Sequence, residues 1–350
     1  MSAHPYAGLP DHRFWRRSVP DVVPFKLDPV VATRFSISSS DAVATAGSCF
    51  AQHISARLTS LGFNYLVTED GANRSSSVRA SNHYGVFSAR YGNLYTTRQL
   101  LQLFQEAYGL RNPIDSVWRR ADGRFVDALR PQVESAGYHS AEAVLADRAA
   151  HLAAVRRTFE ECAVFVFTLG LTEGWRSTAD GTVFPLAPGV SGGNYDTTRH
   201  EFINFDTDAV SRDLQKFLEQ LKSVNPQVKV LLTVSPVPLI ATFEPRHVLV
   251  SNTYSKAVLR VAAESALRTF DWVDYFPSFE IITGNFNDST YYESDYRSIN
   301  ALGVDHAMRC FTRHYAKGLA SNVPHPSIHL PESSDSGVIC DEEALDHVRV

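Results

Sequence analysis

A chain of 350 residues, 44 % hydrophobic and 20 % charged, can bury one large α/β core or two smaller ones. A formal net charge of −5 argues against a broad nucleic-acid surface, and no apolar run is long enough to cross a bilayer. The N-terminus lacks the apolar centre of a secretory signal, and Cys49, Cys162, Cys310 and Cys340 are scattered without a CxxC pair, so a reduced cytoplasm is expected.

Residues 1–40 are rich in proline, serine and aromatics and have no sustained period; they are expected as an N-terminal arm, with Phe14 and Trp15 as an aromatic clip on the core. The stretch 41–63 is the organising element. Val43 to Ala46 are small and apolar, as in a short buried strand, and Gly47 permits a sharp turn. Phe50, Ile54, Leu58 and Leu61 then recur at helical spacing, and Gly62 ends the run. Ser48 and Cys49 thus fall where a strand hands over to a helix, at the carboxyl edge of a parallel sheet, where open α/β sheets bind ligands.

The string Gly47-Ser48-Cys49-Phe50-Ala51 resembles the signature of the bacterial GSCFA family, which is itself similar to the SGNH/GDSL hydrolases. The resemblance runs from about Phe35 to Tyr315. It implies a doubly wound α/β domain over 41–318, a three-layer αβα arrangement on a mostly parallel sheet of about five strands. Inserted loops are expected near 111–137 and 178–204, with a C-terminal tail over 319–350. Laid on the Gly-Asp-Ser turn of those hydrolases, Ser48 replaces the aspartate and Cys49 takes the nucleophile's place; Ser48 stays open as an alternative nucleophile.

After the Cys49 helix, 64–67 reads as a strand and 70–81 as a surface loop. Residues 82–93 hold Gly85, Gly92 and Asn93, which the resemblance offers as oxyanion donors; turn geometry accounts for them equally well. Residues 96–108 form a helix capped by a threonine. The arginines of 111–137, Arg130 among them, read as a solvated face or a grip for an anionic group. A helix over 140–161 leads into the strand 162–169, apolar on both faces.

Next comes Gly170-Leu171-Thr172-Glu173, the counterpart of the hydrolases' GxND block. Thr172 stands for the asparagine and Glu173 for the aspartate, so Thr172 is a hydroxyl donor and Glu173 an orienting or substrate-binding carboxylate. Residues 178–204 are expected as a lid or rim, 206–223 as a helix and 229–234 as a buried strand. Ser235-Pro236-Val237-Pro238 shapes a pocket wall, and Lys256 reads equally as an exposed first-turn lysine or as a group that pairs with a carboxylate such as Glu173 or anchors an acyl donor's phosphate. The last strand is read over 273–277 and continued through 279–282.

The hydrolases carry DxxH before the last helix, with the histidine as base. Here Asp295 is followed by Ser298 in the histidine's place, leaving Asp295 as a substrate contact. His306 is the nearest replacement base; His247, His83 and His53 are further candidates, His53 one helical turn after Cys49. His325, His329 and Cys340 in the tail match no familiar metal spacing.

The activity expected is acyl transfer or ester hydrolysis on a small molecule or glycan precursor. No cofactor is required, and acetyl-CoA suits a cysteine as acyl donor. The rivals are a serine esterase through Ser48 and a non-catalytic carbohydrate- or protein-binding module.

Overall fold

Continuous burial along short apolar strands sets the architecture, because a strand buried on both faces needs a helical layer on each. The computed structural model describes residues 4–317 and 338–345. Nine strands are seen among them: β1 (Val43–Gly47), β2 (Val117–Arg119), β3 (Phe125–Asp127), β4 (Val164–Leu169), β5 (Glu173–Ser177), β6 (Val183–Phe184), β7 (His200–Asn204), β8 (Lys229–Val234) and β9 (Val273–Tyr275). The longer helices are α1 (Ala51–Ser60), α2 (Thr97–Ala107), α3 (Ala141–Glu161), α4 (Thr207–Val224), α5 (Val248–Thr269) and α6 (Ala301–Tyr315).

The central sheet is parallel throughout, in the order β1-β4-β8-β9. On the free side of β1 the chain pairs once more, Tyr65 bridging Val43, with Val43 N–H donating to Asn64 O at 2.9 Å and Leu66 N–H to Val43 O at 2.8 Å. The expected fifth strand over 64–67 is therefore a two-bond bridge. Counting that bridge, the chain reverses its direction across the sheet between β1 and β4. In doubly wound sheets such a switch point opens the crevice that takes the ligand.

Residues of alternate parity face opposite layers. Phe165, Phe167, Leu169, Val230, Leu232 and Val234 pack with α2, α3, α4 and α5. Val43, Val164, Val166 and Leu231 pack with α1 and α6 on the other side. Each fully buried side chain of this kind contributes about 1.5–3 kcal/mol. The helix starts follow local chemistry: Thr96 and Gln99 form a capping box on α2, and Ser140 and Asp206 cap α3 and α4.

Several expectations are corrected. The run 279–282 belongs to a helix, Ser278–Thr283, since a short apolar run fits strand and buried helix equally. Residues 178–204 fold with β5 as an antiparallel sheet in the order β6-β5-β7. Trp15 is 67 % exposed and clips nothing; the arm instead packs through Leu27 and Val30, and Arg309 reaches Phe25 O. Within 111–137 the strands β2 and β3 pair, and Arg130 is neither solvated nor free for an anion. Its Nε meets Asp127 Oδ2 at 2.7 Å and its Nη2 meets Asp147 Oδ2 at 2.6 Å, both inside the protein. The segment 338–345 lies against the sheet's carboxyl edge, so the tail is not peripheral there.

Candidate functional site

Gly47 makes the turn after β1. Its φ is +126°, and a Cβ there would lie 2.7 Å from Thr168 N and closer still to Thr168 O. Only glycine fits, because β4 runs against this turn at backbone distance: Ser48 N–H donates to Thr168 O at 3.0 Å. A second close approach comes from the other side, where Leu94 N–H donates to Gly47 O at 2.9 Å. The turn is thus gripped by two neighbouring segments, and it presents Ser48 and Cys49 just before α1.

Two cavities meet at Cys49. One, of about 10 Å³, is lined by Ser48, Cys49, Tyr95, Gly170, Lys256 and Glu342 among others. The second, of about 50 Å³, brings Cys49 together with His53, Arg297, Ser298 and Cys340. Cys49 is 4 % exposed, and its cavities mix charged groups such as Lys256, Glu342 and Arg297 with apolar Leu171, Val237, Leu239 and Ile299. Ser48 Oγ and Asn93 Oδ1 are buried without a hydrogen-bond partner among the described residues. Such orphaned atoms are uncommon in native interiors and collect at sites that wait for something.

Lys256, on α5, is buried and donates from Nζ to Gly170 O at 2.7 Å. Burial lowers its pKa from the usual lysine value to about 8, against the pull of Glu342 and Cys49 nearby. His53 is lowered to about 4 by burial and stays neutral. Glu342 and Asp341 are pushed up by burial to about 7 and about 6; for Glu342, desolvation outweighs Arg297 and Lys256. Tyr95 is held well above its ordinary value by burial and then by these carboxyls.

The sequence-derived residues divide sharply. Asn93 lines neither Cys49 cavity and instead holds Asp341 and Ile339 of the segment beside it, whereas Cys49, Ser48 and Lys256 line one cavity. His306 does not, and it is corrected as a base: it is fully buried, with Nδ1 2.7 Å from Tyr291 Oη and Nε2 2.6 Å from Leu27 O, so both ring nitrogens are engaged elsewhere. Thr172 is corrected as an oxyanion donor, because its hydroxyl donates to Asn204 Oδ1 at 2.7 Å and its N–H to Ser255 Oγ.

Glu173 accepts from Thr242 Oγ1 at 2.7 Å and Phe243 N–H at 3.2 Å and pairs with neither Lys256 nor a histidine. It lines a separate cleft of about 200 Å³ with Trp175, Phe202 and Phe243. Gly85 makes a turn with φ of +79° and lines neither Cys49 cavity. Asp295 folds its carboxylate onto Arg297 N–H, Ser298 N–H and Ser298 Oγ, bracing the loop that carries Arg297 rather than facing the cavity. His325 and His329 lie outside the described residues, and no metal-holding cluster occurs among those described.

Sequence reasoning missed Arg297, Tyr95, Gln52 and the segment bearing Cys340 and Glu342. Arg297 sits inside the quoted Asp295 block and was legible as a charge; the others carry no local signal. No helix among the described residues is long and apolar enough to cross a membrane.

The GSCFA family model matches residues 42–311, spanning the turn, the sheet and α6 to within a few residues of its end. No curated protein matches the chain. Among solved structures, a family 3 carbohydrate esterase of Clostridium thermocellum is similar at 12 % identity and a TM-score of 0.26, over 79 % of this chain and 94 % of that one. With the signature turn, the sheet and the matched span in agreement, the chain belongs to the GSCFA family.

Proposed function

We propose that this protein transfers or hydrolyses an acyl group through Cys49. The observation carrying this reading is the glycine-locked turn that sets Cys49 beside Lys256, at the switch point of a parallel sheet. Cys49 Sγ attacks the acyl carbonyl carbon while its proton passes to neutral Lys256. The tetrahedral oxygen takes N–H donors such as those of Asn93. Collapse expels the alcohol or thiol, which recovers the proton, and water or a hydroxylated acceptor then releases the acyl group.

Lys256 fits the proton-carrying role better than His53. A base near pKa 8 is half-neutral close to physiological pH, whereas an imidazole held near 4 binds a thiol's proton poorly. The substrate class is an ester or thioester, with acetyl-CoA as donor and a small hydroxylated molecule or glycan precursor as acceptor.

Ser48 supports a second reading, because its buried hydroxyl has no partner among the described residues. Turnover of a nitrophenyl acyl ester separates the two. Cys49→Ala is expected to abolish it and Ser48→Ala to leave most of it. The reverse pattern would make Ser48 the nucleophile, and no turnover by the unmodified chain under any condition would favour a binding module.

A further inference from the structure

Resting on this acyl-transfer reading, we propose that residues 338–345 are an autoinhibitory plug seated in the Cys49 crevice, and that a Cys49–Cys340 disulfide locks it there. The segment is held by atoms drawn from three separate parts of the site. Ile339 N–H donates to Gln52 Oε1 at 3.0 Å, while Ile339 O accepts from Gln52 Nε2 at 2.8 Å and from Asn93 Nδ2 at 3.1 Å. The Asp341 carboxylate accepts from Asn93 N–H at 3.2 Å, and Glu342 N–H donates to Tyr95 Oη at 3.2 Å. Arg297 reaches Glu342 at 3.3 Å.

Acidic residues normally stay solvated, yet Asp341 is 3 % and Glu342 9 % exposed. Burial of that kind requires prepared partners, and the site supplies them. The amide donors of Asn93, moreover, already hold a carboxylate and a carbonyl, oxygen groups like those a tetrahedral adduct would present.

Space gives an independent argument. With the segment in place, the cavities at Cys49 measure about 10 and about 50 Å³. A single water needs about 10–15 Å³ on such a measure, so neither admits an acyl substrate. Withdrawal of the segment is required before Cys49 can react with anything larger.

The lock follows from the pair of thiols. Cys49 and Cys340, 291 residues apart in sequence, line the same small cavity. Cys49 attacks the sulfur of a low-molecular-weight disulfide such as oxidised glutathione, expelling one thiol and forming a mixed disulfide. The Cys340 sulfur then attacks the Cys49 sulfur and expels the second thiol. The two cysteines are oxidised, the small disulfide is reduced, and the two cysteine protons leave on the two released thiols.

The full chain, reduced and then treated with oxidised glutathione, is expected to give a Cys49–Cys340 cross-linked peptide. In the reduced state, iodoacetamide should modify Cys49 about tenfold or more faster in a variant ending before Val338 than in the full chain, because opening limits access. Cys340→Ser supplies a second variant whose core is untouched; it should retain glutathione on Cys49 as an unresolved mixed disulfide. Equal alkylation of Cys49 with and without the segment would overturn the plug, as would stable glutathionylation of Cys49 in the full chain with no link to Cys340. Neither readout needs turnover. A Cys49 that cross-links but never acylates therefore contradicts the catalytic reading alone, and one acylated equally with and without the segment contradicts the plug alone.

Discussion

In the proposed reaction Lys256 is the residue that takes the proton. A solvated lysine stays charged until well above physiological pH, but burial beside Gly170 O lowers this one to about 8. The groups facing it are Glu342 and Cys49, which favour its charged form, and Arg297, which opposes it. In the proposed reaction the neutral amine is the acceptor, so activity should rise with pH as this lysine, held below its usual value by burial, loses its proton. Lys256→Arg keeps the charge and volume but has no accessible neutral form. It is expected to lower kcat/KM by about 10²-fold or more and to erase the rise in the pH–rate profile. An unchanged alkaline rise in that variant would show that the proton goes elsewhere.

At the level of elements, the hairpin of β2 and β3 is tied to α3 by charge. Asp127 accepts from Arg130 Nε at 2.7 Å and from Arg148 Nη1 at 2.9 Å, and Arg148 also grips Glu106. Burial alone would raise the Asp127 carboxyl, but Arg148 and Arg130 hold it down to about 2. A carboxylate whose folded pKa is depressed stabilises the fold above the unfolded value of about 3.9; that contribution fades as pH falls toward the folded value. Asp127→Asn leaves two buried guanidinium groups short of a partner and should cost about 3–5 kcal/mol. Urea unfolding at neutral pH measures it, and a loss under about 1 kcal/mol would mean that the network relaxes around the gap.

The same scale shows what could be read in advance. β1, its glycine turn and α1 were legible because a short run of small apolar residues gives way to a hydrophobic period of 3.6 just after a residue that has no side chain. The helix Ser278–Thr283 was not, since four apolar residues specify burial without specifying geometry. The arginines of 111–137 looked like surface because arginine usually is; only the fold brings Asp127, Asp147 and Glu106 to them.

For the molecule as a whole, the order of the sheet places the site, and the far end of the chain fills it. Ser48, Cys49 and Lys256, legible from the turn chemistry and the family resemblance, line one cavity, and Asn93 reaches its neighbourhood only through Asp341 and Ile339. The proton acceptor was sought among histidines because the related hydrolases use one; His306 is packed between Tyr291 and Leu27 O on the α6 side. The placing of Cys340 in one cavity with Cys49 was invisible, because nothing local in an acidic, proline- and serine-rich tail announces a partner nearly three hundred residues away.

The central claim is that Cys49 carries the acyl group. Its most direct test is peptide mapping by mass spectrometry after brief incubation of the reduced protein, lacking the segment 338–350, with acetyl-CoA or nitrophenyl acetate and an acid quench. The account predicts an acetyl thioester on Cys49 that hydroxylamine removes and that Lys256→Arg slows. An acetyl ester on Ser48 instead, or an unmodified turn in a protein that nevertheless turns over the ester, would contradict it.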